Sequence, residues 1–248
     1  LYCVFFKNVA AAHSGAILIQ SIKRLHNRYC QFLSNLASIS GGSLSVYANN
    51  INADIINSHC LFKDNFLSCK NDKSKTGKIG GGAIKISEAK SVSNYNNSYI
   101  NNTATCMGGA LNLYNIRNYV EKSSYFKENF AAKGAAIEIA MVYNLGNLAE
   151  IIHSVFVNNR ATSKGGAFEM VNMKCINNNS VYINNTCGKI GGAIHLIDTA
   201  HFQNLRCKFY NNSALQKGGV IYFIRKQNSG ICSIANIFSV FFSNQASN

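Results

Sequence analysis

Asn97-Ser98-Tyr99-Ile100-Asn101-Asn102-Thr103-Ala104, followed by Gly108-Gly109-Ala110-Leu111-Asn112-Leu113, is the stretch whose reading decides the fold. Its first half has the form [Cys/Ser/Asn]-x-aromatic-x-x-Asn-x-[small or apolar]. That pattern recurs nine times, opening at Cys3, Cys30, Cys60, Asn97, Ser124, Ser154, Ser180, Cys207 and Ser239. The aromatic is Phe5, Phe32, Phe62, Tyr99, Phe126, Phe156, Tyr182, Phe209 or Phe241. The asparagine is Asn8, Asn35, Asn65, Asn102, Asn129, Asn159, Asn185, Asn212 or Asn244. The second half, a glycine pair leading into apolar-x-apolar, follows the first eight copies with small variations such as Ser14-Gly15 and Gly134-Ala135.

Apolar-x-apolar is the period of a short strand with one face turned to a core. Each repeat holds too few such residues to bury that face alone, and stacking the repeats buries it. Asparagine at a fixed place after a strand suits a tight turn, because it tolerates the left-handed conformation. Stacked about 4.8 Å apart, the nine asparagines are expected to bond to one another as a ladder. Helical repeats of similar length are ruled out by the asparagines and glycines that interrupt every candidate helix, and a leucine-rich repeat by the missing Leu-x-x-Leu-x-Leu frame. The expected fold is all-β, a single-stranded right-handed parallel β-helix of about eight to nine coils, continuous over residues 1–248 with a Lys-rich loop inserted at 68–80.

The paired Phe-x-x-Asn and Gly-Gly-Ala-Ile motifs resemble the repeats of chlamydial polymorphic outer-membrane protein passengers and of secreted protist proteins in the pectin-lyase-like β-helix superfamily. The resemblance covers nearly the whole chain and concerns the fold. That superfamily includes adhesins, structural proteins, lyases and hydrolases, so fold does not carry function with it.

Composition sets further bounds. Hydrophobic residues make up 47% and charged residues 14%, enough apolar material for a core and too little charge for a disordered chain. Lys+Arg 24 against Asp+Glu 10 gives +14, a charge that attracts polyanions. No apolar stretch approaches the ~18 residues a membrane helix needs, and neither an initiating Met nor a signal peptide is present, so the text reads as a mature or partial chain. No Cys-x-x-Cys or Cys/His cluster has zinc spacing, and neither metal nor cofactor is expected.

The x of Gly-Gly-Ala-Ile-x-Ile is expected to face solvent, giving an outward row of Leu18, Ser45, Lys85, Asn112, Glu138, Glu169, His195 and Tyr222. Glu138 and Glu169 would then be neighbours, at about the 5 to 5.5 Å carboxyl separation of a retaining glycosidase. They are the one catalytic candidate. The competing reading is a pair of solvated surface glutamates, and the acidic clusters and Arg/Lys motifs of polygalacturonases and pectate lyases are missing. Lys133, Lys164 and Lys217 precede the glycine pair, with Lys189 offset by one. With Lys70, Lys73, Lys75 and Lys78 of the insertion, they are the candidates for binding an acidic polysaccharide. Sequons stand at Asn96, Asn101, Asn178, Asn184 and Asn211, and Asn101, Asn184 and Asn211 share the column just before the ladder asparagine. Cys69 and Cys106 each lie nine residues after their repeat's opening in adjacent coils, a placement that stacking could bring within disulfide reach.

The expectation is a non-enzymatic extracellular or cell-surface protein, structural or adhesive and bearing N-glycans. Its partners are expected to be acidic polysaccharide and further copies of itself, stacked head to tail into a fibril because neither end of the text shows a capping segment. The alternative is a lyase or hydrolase of acidic polysaccharide. Nucleic acid is not an expected partner, because the aromatic platforms are claimed by the core.

Overall fold

The computed structural model describes residues 2–69, 79–142, 147–199, 201–225 and 233–247. Among them there is no helix, and the strands pair in parallel as a β-solenoid of about eight turns. Three sheets run along it. The nine-stranded sheet carries the aromatics, from Val4–Phe6 at one end to Val240–Phe242 at the other. The eight-stranded sheet holds the short strands after the ladder asparagine, such as Thr103–Ala104. The 14-stranded sheet holds the Ile-x-Ile strands together with those that lead back to the aromatics; Leu44–Ser58 and Ile84–Tyr95 serve both ranks.

Pairing sets identical repeat positions side by side, for instance Tyr99 opposite Phe62 and Phe126. The rings therefore stack. Neighbouring centroids lie 4.6 to 5.2 Å apart from Phe5 to Phe241, with planes within 13° of parallel. The seven rings from Phe32 to Phe209 are fully buried, whereas Phe5 is half-buried and Phe241 is exposed at the end of the stack. Beside them pack the aliphatics Ile84, Ile86, Leu111, Leu113, Ile137 and Ile139 of the 14-stranded sheet.

The asparagine ladder is continuous from Asn8 to Asn244. Its members do not take the left-handed conformation. That falls to the residue before each, from Lys7 through Asn101 to Ser243, with φ between 51° and 57°. The ladder residue is fixed by hydrogen bonding instead. The Asn129 side-chain amide donates to Tyr99 O in the preceding coil at 3.0 Å and to Asn159 Oδ1 at 2.9 Å.

The glycine pair divides its work. Gly81 has φ +84°, a region L side chains rarely adopt, and a Cβ on Gly82 would collide with the carbonyl oxygen of Gly109 in the next coil. This turn also overturns the expected outward row. It brings the chain back across the strand it precedes, so that a Cβ on Gly41 would meet the Ser45 side chain and one on Gly108 would meet that of Asn112. Ser45, Lys85, Asn112, Glu138, Glu169 and His195 are accordingly buried, leaving Leu18 exposed and Tyr222 half-buried at the ends of the row.

Candidate functional site

The buried row is a chain of polar contacts threaded through successive coils. Lys85 Nζ donates to Asn112 Oδ1, and Asn112 Nδ2 donates to Glu138 Oε2. Glu138 faces Glu169 in register, and Glu169 Oε1 lies 3.2 Å from His195 Nδ1. His195 stacks on Tyr222 with ring centroids 5.7 Å apart. Burial holds the Lys85 ammonium below its usual range. Burial first, and then Glu169, raise the Glu138 carboxyl, against the opposing pull of Lys85 and Lys133. Glu169 Oε2 and His195 Nε2 have no hydrogen-bond partner.

This geometry argues against the glycosidase reading. With Glu138 only 3% and Glu169 only 2% exposed, a glycosidic oxygen has no route to either carboxyl. The row is an internal polar strut.

The lysines that precede the glycine pair form a partial edge. Lys133 and Lys164 pair in register, but Ile190 stands between Lys164 and Lys217, and Lys189 is exposed beside it. Lys133 and Lys164 are half-buried, and the Lys133 charge acts on Glu138, so Lys133 belongs in part to the internal row. Lys70, Lys73, Lys75 and Lys78 lie outside the described residues.

Asn96, Asn101, Asn184 and Asn211 are exposed, and Asn178 is half-buried. Asn101, Asn184 and Asn211 stand at the left-handed turn position, with the ladder asparagine beneath them as the middle residue of the sequon. Cys69 and Cys106 form a disulfide across adjacent coils, with Cα atoms 6.0 Å apart. Cys30, Cys60, Cys175, Cys187 and Cys207 are buried free thiols, and burial pushes the Cys60 thiol up to about 11, so it is unreactive. Among the described residues no group of three His, Cys, Asp or Glu could hold a metal ion, and no helix is long and apolar enough to cross a membrane.

Two features escaped the reading of the sequence. A second interior ladder joins Asn27, Asn57, Asn94 and the Glu121 carboxylate, and resumes through Asn177, Asn204 and Asn236. Its signal was an asparagine three residues before the repeat opening. Tyr119 also donates to Glu121 Oε2, Glu121 Oε1 has no partner, and burial pushes this carboxyl up to about 7. The second feature is a column of residues immediately before each opening, exposed except at the half-buried Asn179 and beginning Tyr2, Tyr29, His59 and Asn96. Contrary to expectation, the core does not claim every aromatic: Tyr2 is 63% and Tyr29 44% exposed.

Comparison with known proteins adds one finding. Residues 206–224, which carry Cys207-x-Phe209-x-x-Asn212 and the Gly218-Gly219-Val220-Ile221 turn, match the Chlamydia polymorphic membrane protein repeat. No curated protein and no solved structure matches the chain. Repeat match and fold together make this a parallel β-helix repeat protein resembling the chlamydial polymorphic membrane protein passengers.

Proposed function

We propose that this chain is a non-enzymatic rod displayed outside the cell or at its surface, where it acts as a structural or adhesive module. The observation that carries the reading is the match of residues 206–224 to a membrane-protein passenger repeat. The repeat motif itself runs through the whole solenoid. The Cys69–Cys106 disulfide supports it, because such bonds persist in oxidising compartments. The enclosure of Glu138 and Glu169 supports the non-enzymatic part. If the source glycosylates secreted proteins, the exposed Asn101, Asn184 and Asn211 are the sites that would carry sugar.

The test is labelling of intact cells with a membrane-impermeant amine reagent, followed by peptide mapping. Modification of the exposed Lys189 and Lys217 on intact cells is the expected result. Modification only after lysis would overturn the reading.

A further inference from the structure

We propose that the corner built by Tyr2, Tyr29, His59 and Asn96 is a binding groove for a linear, carboxylate-bearing polysaccharide lying along the solenoid axis. These four residues come from four consecutive coils and line one groove of about 580 Å³. Its floor is the outer face of the aromatic sheet at Gln31, Leu61 and Ser98. Coil spacing is about 4.8 Å, comparable to the length of one pyranose ring, so a polymer along the axis meets one turn residue per sugar.

The chemistry of the lining selects the ligand class. Tyr29 and His59 lie against each other with centroids 4.9 Å apart and planes tilted by 42°, and Tyr29 is not part of the core. Such rings offer flat apolar faces to sugar C–H groups. The amides of Gln31 and Asn96 and the Ser98 hydroxyl offer donors and acceptors to sugar hydroxyls; Asn96 already reaches His59 Nε2 at 3.3 Å. Among the described residues no carboxylate lines the groove, while the exposed Arg28 donates to Tyr29 Oη at 3.3 Å, its guanidinium 4.9 Å from the ring centroid. One guanidinium suits an occasional carboxylate. A nucleic-acid strand would need a series of cations to follow its phosphates.

The backbone decides which substitution tests the groove. Tyr29 and His59 both sit at φ +54°, where bulky residues are strained and asparagine is tolerated. The same column holds asparagine at Asn96 and Asn179 and other residue types at Ser123, His153, Arg206 and Phe238, so Tyr29 can be replaced by asparagine without loss of the turn.

The inference rests on surface display, since only a displayed face meets such polymers, yet its test is independent of where the protein resides. The full chain is produced without glycosylation, so that Asn96 is unmodified, and is titrated calorimetrically with an oligogalacturonate, a neutral galactan oligomer and an oligothymidylate. The wild type is expected to bind the oligogalacturonate most tightly. Tyr29→Asn is expected to weaken that binding ~10-fold while leaving Tm unchanged or higher, because asparagine relieves the left-handed strain. Arg28→Gln is expected to remove the preference for the charged oligomer, and His153→Asn, in the same column away from the groove, to change nothing. No saccharide binding, unchanged affinity in Tyr29→Asn, or tighter binding of oligothymidylate would overturn the groove assignment. None of these results bears on the labelling of intact cells, so the two readings fail separately.

Discussion

Asn129 and Asn159 are bound twice by one oxygen: Asn159 Oδ1 accepts from the Asn129 side-chain amide at 2.9 Å and from its backbone amide at 3.1 Å. Asn129 Oδ1 in turn accepts the equivalent pair from Asn102 at 3.0 and 3.1 Å. Truncation to alanine strands Asn102 N and Tyr99 O inside the solenoid without these partners. With buried unpaired groups costing about 1 to 3 kcal/mol each, Asn129→Ala is expected to lose about 2 to 4 kcal/mol. The exposed Asn118 gives the control, and Asn118→Ala should stay within about 0.5 kcal/mol of wild type. Equal denaturation midpoints for the two variants would remove the ladder from the stability argument.

Phe126 lies between Tyr99 and Phe156, at centroid distances of 4.6 and 4.8 Å, with no solvent exposure. Phe126→Ala leaves a cavity walled by two rings that the adjoining coils hold in register. The expected loss is about 3 to 5 kcal/mol, measured by chemical denaturation. A loss below about 1 kcal/mol would mean that the stack relaxes into the gap.

Glu121 gives the fold a pH dependence of defined sign. Burial raises its folded pKa to about 7, against an ordinary 4.5 in the unfolded chain. The folded state therefore binds the extra proton between those values, and stability is full below about pH 4.5 and is lost as pH rises through about 7. The size of the loss is about 3 kcal/mol at 1.36 kcal/mol per unit. Glu121→Gln keeps an acceptor for Asn94 and Tyr119 and should flatten the stability profile over that window. Urea midpoints at pH 5 and pH 7.5 decide it: an undiminished difference in the variant would assign the proton to another group.

The fold was legible because every coil repeats its chemistry at corresponding positions, and a nine-fold column of Phe or Tyr followed by Asn has few other physical solutions. The x row was misread for a local reason. Alternation along Ile84-Lys85-Ile86 fixes which residues share a face, but says nothing about what lies over the second face. The positive-φ glycine that carries the chain across it acts from outside the strand. The left-handed turn was displaced by one residue because Lys7, Asp64 and Glu128 vary in type where the conformation is constant, while the invariant asparagine beside them serves hydrogen bonding. The second ladder was obscured by two substitutions within one column, Glu121 and Ile151.

Ile151 is the one break in that second ladder, and repairing it tests whether the interior polar columns act as connected units. Register places Ile151 between Glu121 and Asn177, fully buried, and Asn177 Oδ1 is left without a partner. In Ile151→Asn the new amide can donate to Asn177 Oδ1, as Asn177 itself donates to Asn204 at 2.8 Å. Its own oxygen then faces Glu121 Oε1, which can donate only when that carboxyl is protonated. Loss of a buried aliphatic side chain costs about 1.5 to 3 kcal/mol, and a recovered buried acceptor returns about 1 to 3 kcal/mol. Near pH 7.5 two oxygens oppose each other, so the single variant is expected to be less stable than wild type. At pH 5 the protonated Glu121 supplies the missing donor, and the penalty should shrink. Glu121→Asn combined with Ile151→Asn makes the column asparagine throughout from Asn27 to Asn236. A double-mutant cycle at pH 7.5 should therefore show a favourable coupling of about 1 kcal/mol or more between the two sites. Additive effects, with the same penalty at both pH values, would mean that positions 121 and 151 do not communicate through hydrogen bonds and that the ladder is a set of independent pairs.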